Sequence, residues 1–494
     1  MLRAAPVVAL VGVVAGVLIG EARGAGNGVP AFVACAVALA VVAVARTRTA
    51  RVLALAVLCL FVGVASMQRA LHGLGRSPLQ HAIDAREEVV ARVTLVDDPD
   101  ASRWSANALV RVDAWTRTSS GEPTRDAGSR RVFASASGAA VERLSLLAAG
   151  ESMTVTGWLA PLDGFDVRMK WKHAIATLHV LDVAEVGDAR DPLLRLANRA
   201  RTVVMGGSTS LAPIDRAVLA GFLLGDTRAV PPDIKEQFRA AGLTHLTAVS
   251  GGNVAFVLAL LAPLFRRLRL GSRAVAAGVV LVVFGTMTRW EPSVARAIVM
   301  ASIALFVGVL GRPTPALRVL VFAATVLLLI DPFLLHSVGF GLSCLASLGI
   351  ALWSRPITER LRGPLWIREI LGVTAAAQIG VAPLLIPVFG SVPLVSLPAN
   401  LVAVPLAAPL TMWGIVAGAI NTVAAPFAPS VPALLAVPTT ALLHGLLAVA
   451  AIAARVPIAV DGRAVWLVIA TVALVGAATR TRSLRRDARP LPAR

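Results

Sequence analysis

Gly242-Leu243-Thr244-His245-Leu246-Thr247-Ala248-Val249-Ser250-Gly251-Gly252-Asn253-Val254 puts His245, Ser250 and Asn253 where an apolar run begins. A polar or ionisable side chain at membrane depth costs roughly 2–4 kcal/mol unless it finds a partner, so such residues usually line a pathway or a site. Gly251 and Gly252 mark a helix break that lets backbone approach a ligand or a second helix.

Composition agrees with that setting. Apolar residues make up 57% of the 494 residues and charged residues only 15%, with a mean hydropathy of +0.77. The reading is a polytopic α-helical membrane protein with an inserted small β-domain. Candidate spans fall at 4–20, 30–45, 52–66, 246–264, 274–288, 296–311, 318–333, 337–353, 371–388, 398–420, 434–454 and 464–479, about twelve of them. The span at 398–420 also reads as two shorter, broken pieces. The first run lacks a small-residue cleavage site and reads as a spanning helix. Cys35, Cys59 and Cys344 all lie in apolar runs and suggest neither a disulfide framework nor a metal site. No cofactor is expected.

Positive charge orients the chain. From Ser66 to Ala200 basic and acidic residues balance, so nearly all of the +19 belongs to the membrane part. There the arginines gather in short connections: Arg46/Arg48/Arg51, Arg266/Arg267/Arg269/Arg273, Arg312/Arg318, Arg355/Arg360/Arg362 and the tail from Arg480. Such connections lie on the cytoplasmic side. Strict alternation with a cytoplasmic N-terminus puts all of them inside, together with the C-terminus, and places residues 67–240 outside the cell (inner) membrane. The expected layout is three spans over 1–66, an external β-domain over 67–190, interfacial amphipathic helices over 191–241, a membrane domain over 242–479 and a basic cytoplasmic tail over 480–494.

The external segment concentrates β-formers at Glu88–Val96, Ala108–Arg117, Arg131–Ser135, Met153–Leu159 and Ile175–Val186, separated by turn-rich pieces. Five short strands suggest a small OB-like barrel, with any small β-sandwich as the alternative. Lys170, Trp171 and Lys172 place cations beside a ring, which suits stacking a base near a phosphate, or else form a solvated strand edge. Pro192–Thr209 and Ala212–Leu224 mix charges with apolar residues at helical spacing, as interfacial helices do.

Four blocks carry a family resemblance. L-L-G-D (223–226) with F-R-A-A-G-L-T-H-L-T-A-V-S-G-G-N-V (238–254), P-S-V-A-R-A-I-V-M (292–300), D-P-F-L-L-H-S-V-G-F-G-L-S-C-L-A (331–346) and V-S-L-P-A-N-L-V-A-V-P-L (395–406) resemble, in order, the ComEC family of DNA-uptake channel proteins. Gln378 sits where the family's intramembrane glutamine is expected. The resemblance implies an inner-membrane channel carrying single-stranded DNA inward in natural transformation. It implies as partners an external DNA receptor, a cytoplasmic ATPase or helicase and single-strand binding proteins, and it leaves a homodimer open. The chain departs from the pattern where the family reads Ser-Gly-x-His, because Asn253 stands there and keeps hydrogen bonding without charge. The seven histidines form no H-x-H-x-D-H cluster, so no metal-dependent nuclease of the metallo-β-lactamase type is expected, and no enzyme activity.

The polar residues in or beside the apolar spans divide into two groups. His245, Ser250, Gly251, Asn253, Arg296, Ser343, Gln378 and Asn400 are candidates for the lining of a water-filled route. Asp226 and Asp331 would repel phosphate and are expected to pair with an arginine or cap a helix. Two other readings stand beside the channel. Prolines 383, 387, 393, 398 and 405 would suit a small-solute or lipid transporter with broken helices. Ser250, His245 and Asp226 supply the residue types of an intramembrane serine hydrolase, though no strand leads into A-V-S-G-G.

Overall fold

A computed structural model of the chain describes residues 5–26, 29–44, 47–75, 77–102, 104–118, 125–312, 314–456 and 459–461. The span expected at 464–479 and the tail at 480–494 lie outside them. Among the described residues eight helices are long and apolar enough to cross a membrane: Ala5–Arg23, Thr49–Gly75, Leu270–Met287, Pro292–Val309, Val338–Arg360, Leu365–Phe389, Ser396–Ala424 and Val431–Ala454. The chain is thus a multi-pass membrane protein.

Three helices at expected spans are short for a membrane crossing, two of them shorter than read. Val29–Val44 has 16 residues, and Gly251–Phe265 and Ala316–Ile330 have 15 each. At 1.5 Å per residue such helices reach about 22–24 Å, below the roughly 30 Å of hydrocarbon. The expected span at 246–264 loses its first turn because Ser250, not Leu246, caps the helix. The reverse correction applies at 398–420. Ser396–Ala424 is one continuous helix of 29 residues that runs through Pro405 and Pro409, as membrane helices tolerate.

Two compact units share the chain. One holds the described residues of 1–230, 247–341 and 410–440, the other those of 231–246, 342–409 and 441 onward. In the first, helix Ala5–Arg23 lies against helix Arg48–Gly75 at backbone distance. A Cβ on Gly16 would overlap the Leu60 carbonyl oxygen, and one on Gly63 would come to 2.5 Å from that of Val13. Small residues four apart, Gly12, Gly16 and Gly20, permit the approach. In the second unit a three-residue strand Ser391–Pro393 pairs with Ala459–Asp461.

The first unit also holds the β-domain. Its long strands are β1 (Glu88–Leu95), β2 (Ser105–Arg117), β3 (Arg125–Ser137), β4 (Ser152–Ala160) and β5 (Ala174–Gly187), each covering one expected stretch. Strand β1 pairs antiparallel with β2 and β4, β2 with β3, and β4 with β5, while β3 and β5 run parallel. Every long strand therefore has two neighbours and the pairing order β1-β2-β3-β5-β4 returns to β1. Alternation drives this: β1 buries every second residue, and Val93 lies between Val112 on one side and Met153 on the other, all three nearly solvent-free. Trp115, Leu159 and Leu178 fill the same core, to which the short helices Gln80–Asp84 and Ala140–Ser145 add Ile83 and Leu144. Lys170, Trp171 and Lys172 end a 3-10 segment, Gly164–Lys172, rather than lying on a strand edge.

Candidate functional site

Ser250 is extended (φ −112°, ψ 171°) and its Oγ accepts from the Gly252 amide at 3.2 Å, which starts helix Gly251–Phe265. Asn253, one turn in, is buried. Its Nδ2 donates to the Phe222 carbonyl at 2.9 Å, and its Oδ1 lies 3.5 Å from Ser250 Oγ. Phe222 belongs to the last turn of helix Pro213–Leu224, whose carbonyls have no partner within the helix. An amide is a fitting donor for that end. Asn421 does the same for helix Pro192–Gly206, donating to the Gly206 carbonyl at 2.8 Å. The two amphipathic helices are thus tied at their C-terminal ends to buried asparagines of apolar helices.

Arg296 stands in the second turn of helix Pro292–Val309, 7% exposed. Its Nη1 lies 3.0 Å from Met300 Sδ, and a Cβ on Gly251 would sit 3.4 Å from its Nη2. Ser293 Oγ donates to the Val249 carbonyl at 2.7 Å, pinning the chain just before Ser250. Val249, Val254, Phe284, Val294, Ala297 and Ile298 form one apolar cluster around this point. A guanidinium near a helix N-terminus also opposes the helix dipole. The structure brings Ser250, Gly251, Asn253 and Arg296 into one neighbourhood, together with Ser293 and the Phe222 carbonyl, which gave no sequence signal.

A second polar cluster lies in the other unit. Gly242 has φ +68°, and a Cβ there would be 2.5 Å from Ser396 Cβ and 3.0 Å from Pro393 Cγ. Gln378 Nε2 donates to the Pro393 carbonyl at 3.1 Å and to Ser396 Oγ. Asn400 Nδ2 donates to the Ser396 carbonyl at 2.8 Å. Its Oδ1 is buried without a partner among the described residues. His245 is exposed in the one-turn helix Thr244–Thr247, and Ser343 is half-buried on helix Val338–Arg360.

The Competence protein family model matches residues 222–485, more than half of the chain. The chain belongs to the Competence protein family. It is similar to ComE operon protein 3 of Bacillus subtilis (strain 168), 25% identical over 342 residues that cover 66% of this chain and 39% of that protein. It is also similar to the uncharacterized protein YcaI of Escherichia coli (strain K12), 29% identical over 220 residues, 41% of this chain and 29% of that one. The chain therefore matches well under half the length of either relative. No solved structure matches.

Asp226, in the Leu-Leu-Gly-Asp block of this Competence protein, joins a buried ionic cluster. Its carboxylate accepts from Arg228 (2.7 and 2.6 Å) and from Arg201 (3.1 Å). Asp98, from the turn after β1, accepts from Arg289 (2.7 and 3.1 Å) and lies 3.1 Å from Arg201. Burial pushes the Asp98 carboxyl up, but the Arg289 hydrogen bonds and the Arg201 and Arg289 charges outweigh it and hold the pKa at about 2. Arg289 adopts a left-handed backbone (φ +56°), and Asn198 Oδ1 accepts from its Nη2 at 2.8 Å. The Asp98–Arg289 pair has no sequence signal, because its members are separated by 191 positions.

The expected DNA-contact residues are engaged in the protein. Trp171 stacks on His336 (3.8 Å, 10°), with Lys170 Nζ 4.1 Å from the ring centre, and it meets Phe333 edge-on. Lys172 Nζ lies 3.9 Å from Asp97. His336 Nε2 is 3.0 Å from Glu21, and Asp331 lies 3.2 Å from His173 Nε2 while capping the Phe333 amide at 3.0 Å. These contacts attach the segment before β5 to the apolar helices. Trp171 is thus engaged within the protein by a stacked ring and a nearby ammonium. Among the described residues no group of three or more His, Cys, Asp or Glu side chains is placed to hold a metal.

Proposed function

We propose that this Competence protein is an inner-membrane conduit that passes single-stranded DNA inward during natural transformation. Its helices from about 240 to 420 would form the route, with the β-domain external and both termini cytoplasmic. The observation that carries the reading is the Competence family match over residues 222–485, within which Arg296, 7% exposed, stands at the start of a membrane helix beside Gly251. A buried ionisable group in that setting is costly and usually functional, and a guanidinium suits a phosphate chain. The β-domain is read as OB type. The pairing order β1-β2-β3-β5-β4, the parallel β3–β5 pair and the helix Ala140–Ser145 between the third and fourth strands support it.

Partners follow from the same reading: an external receptor, a cytoplasmic ATPase or helicase, and single-strand binding proteins. A serine hydrolase finds no support at Ser250, whose Oγ caps a helix.

The test is uptake of labelled DNA into the cytoplasm of a competent host carrying Arg296→Ala or Arg296→Lys. One guanidinium–phosphate contact is worth about 1.5–3 kcal/mol, so the alanine variant is expected to lose at least about tenfold in rate and the lysine variant less. Full uptake by a stably inserted alanine variant refutes the role of Arg296, and full uptake after deletion of the whole gene refutes the conduit.

A further inference from the structure

The end of helix Arg48–Gly75, the start of β3 and the turn after helix Ala316–Ile330 line a half-open cavity of about 330 Å³. Arg69, Arg130, Arg131 and His173 supply its polar wall, and no acidic side chain lines it. Arg69 and Arg131 are exposed and form no ion pair with a described residue. Arg130 is half-buried, its Nη1 donating to the Gly73 carbonyl at 3.0 Å.

Backbone geometry aims the arginines. Neighbouring residues of a regular strand point to opposite faces, yet Arg130 and Arg131 both line this cavity. Gly128 (φ +64°) and Ser129 (φ +54°) are consecutive left-handed residues just before them, and the β3–β5 register shifts between Arg131 and Phe133. A left-handed serine costs about 1–2 kcal/mol, strain that usually marks a functional position.

The other wall is apolar. Leu74 and Ile330 end two apolar helices, one of them a membrane span, and Ile330 is 67% exposed. A cavity at the end of a span, cationic on one side and aliphatic on the other, matches a lipid headgroup with the beginning of its acyl chains. Nucleic acid offers the same phosphate, but a base needs an open ring face. The one ring on the wall, His173, packs against Phe333 and lies 3.2 Å from Asp331.

We propose that this cavity binds the phosphate headgroup of an anionic phospholipid. The test is native mass spectrometry of the detergent-solubilised protein titrated with phosphatidylglycerol and, separately, phosphatidylcholine. It needs no DNA uptake, so its outcome stands apart from the conduit reading.

The wild-type chain should retain phosphatidylglycerol in preference to phosphatidylcholine, and Arg69→Gln with Arg131→Gln should weaken retention by about tenfold or more. Both arginines are exposed, so the unfolding temperature of that variant should match the wild type. The control Arg266→Gln with Arg267→Gln, in an exposed connection, should retain the lipid. Equal retention of the two lipids, undiminished retention in the double variant or equal loss in the control would overturn the site. Displacement of the lipid by inorganic phosphate or by a single-stranded oligonucleotide at matched concentration would give the cavity to another anion and overturn the lipid reading.

Discussion

Replacing Asp98 by asparagine is the sharpest probe of the buried ionic cluster. Three guanidiniums (Arg201, Arg228, Arg289) surround two carboxylates (Asp98, Asp226), and the side chains of Asp98, Arg289 and Arg201 are only 9%, 11% and 13% exposed. Asparagine keeps an acceptor but removes the charge, leaving three cations around one anion. Breaking a buried pair by removing one partner costs about 3–5 kcal/mol, because the other charge stays desolvated. The Ala149 amide, which donates to Asp98 at 2.9 Å, reports locally. At about 1.4 kcal/mol per factor of ten, its hydrogen exchange should speed up by roughly two to three orders of magnitude. Adding Arg289→Gln to the Asp98→Asn background should recover part of the loss, since it removes the stranded charge. Unchanged exchange at Ala149 in Asp98→Asn, or strict additivity in the double variant, would refute the claim that this cluster joins the β-domain to helix Pro192–Gly206.

The pH dependence has a definite sign. The Asp98 carboxyl is depressed from about 3.9 unfolded to about 2 folded, so its roughly 2–3 kcal/mol of stabilisation is complete above about pH 4 and disappears as pH falls through about 2. Acid unfolding of the wild type should therefore be steeper than that of Asp98→Asn over this range. Asn253→Ala leaves the Phe222 carbonyl without its donor and should cost about 1–3 kcal/mol in thermal unfolding, whereas Asn253→His keeps a donor and should cost less. Equal losses would show that the amide does not cap that helix. Gly242→Ala forces a left-handed alanine, about 1–2 kcal/mol, and brings its Cβ to 2.5 Å from Ser396 Cβ. A variant as stable as wild type would contradict the tight turn.

The sequence made legible what depends on period and run length. The five strands appeared because β-formers cluster between turn residues, and most spans appeared because apolar residues run on. It misjudged helix ends. Nothing in Leu246-Thr247-Ala248-Val249 forbids helix, and only the bond from Gly252 N to Ser250 Oγ moves the start to Gly251. Pro405 reads as a breaker because its ring removes a donor and clashes with the preceding turn, yet helix Ser396–Ala424 runs through it, as membrane helices tolerate. The Asp98–Arg289 and Trp171–His336 contacts were illegible, since each joins residues far apart in the chain.

The polar residues of the membrane part now separate by how they use their hydrogen bonds. Ser250, Asn253, Asn421, Ser337 and Asp331 serve backbone groups at helix ends, which accounts for their presence without any ligand. Gln378 bridges the Pro393 carbonyl and Ser396, closing the turn on which Gly242 rests. Asn400 resists that account. It keeps a buried carbonyl oxygen without a partner among the described residues, a deficit of about 1–3 kcal/mol. A leucine would fill the volume without that deficit, so packing alone does not account for an asparagine at this position, whereas the helix caps are accounted for without any ligand.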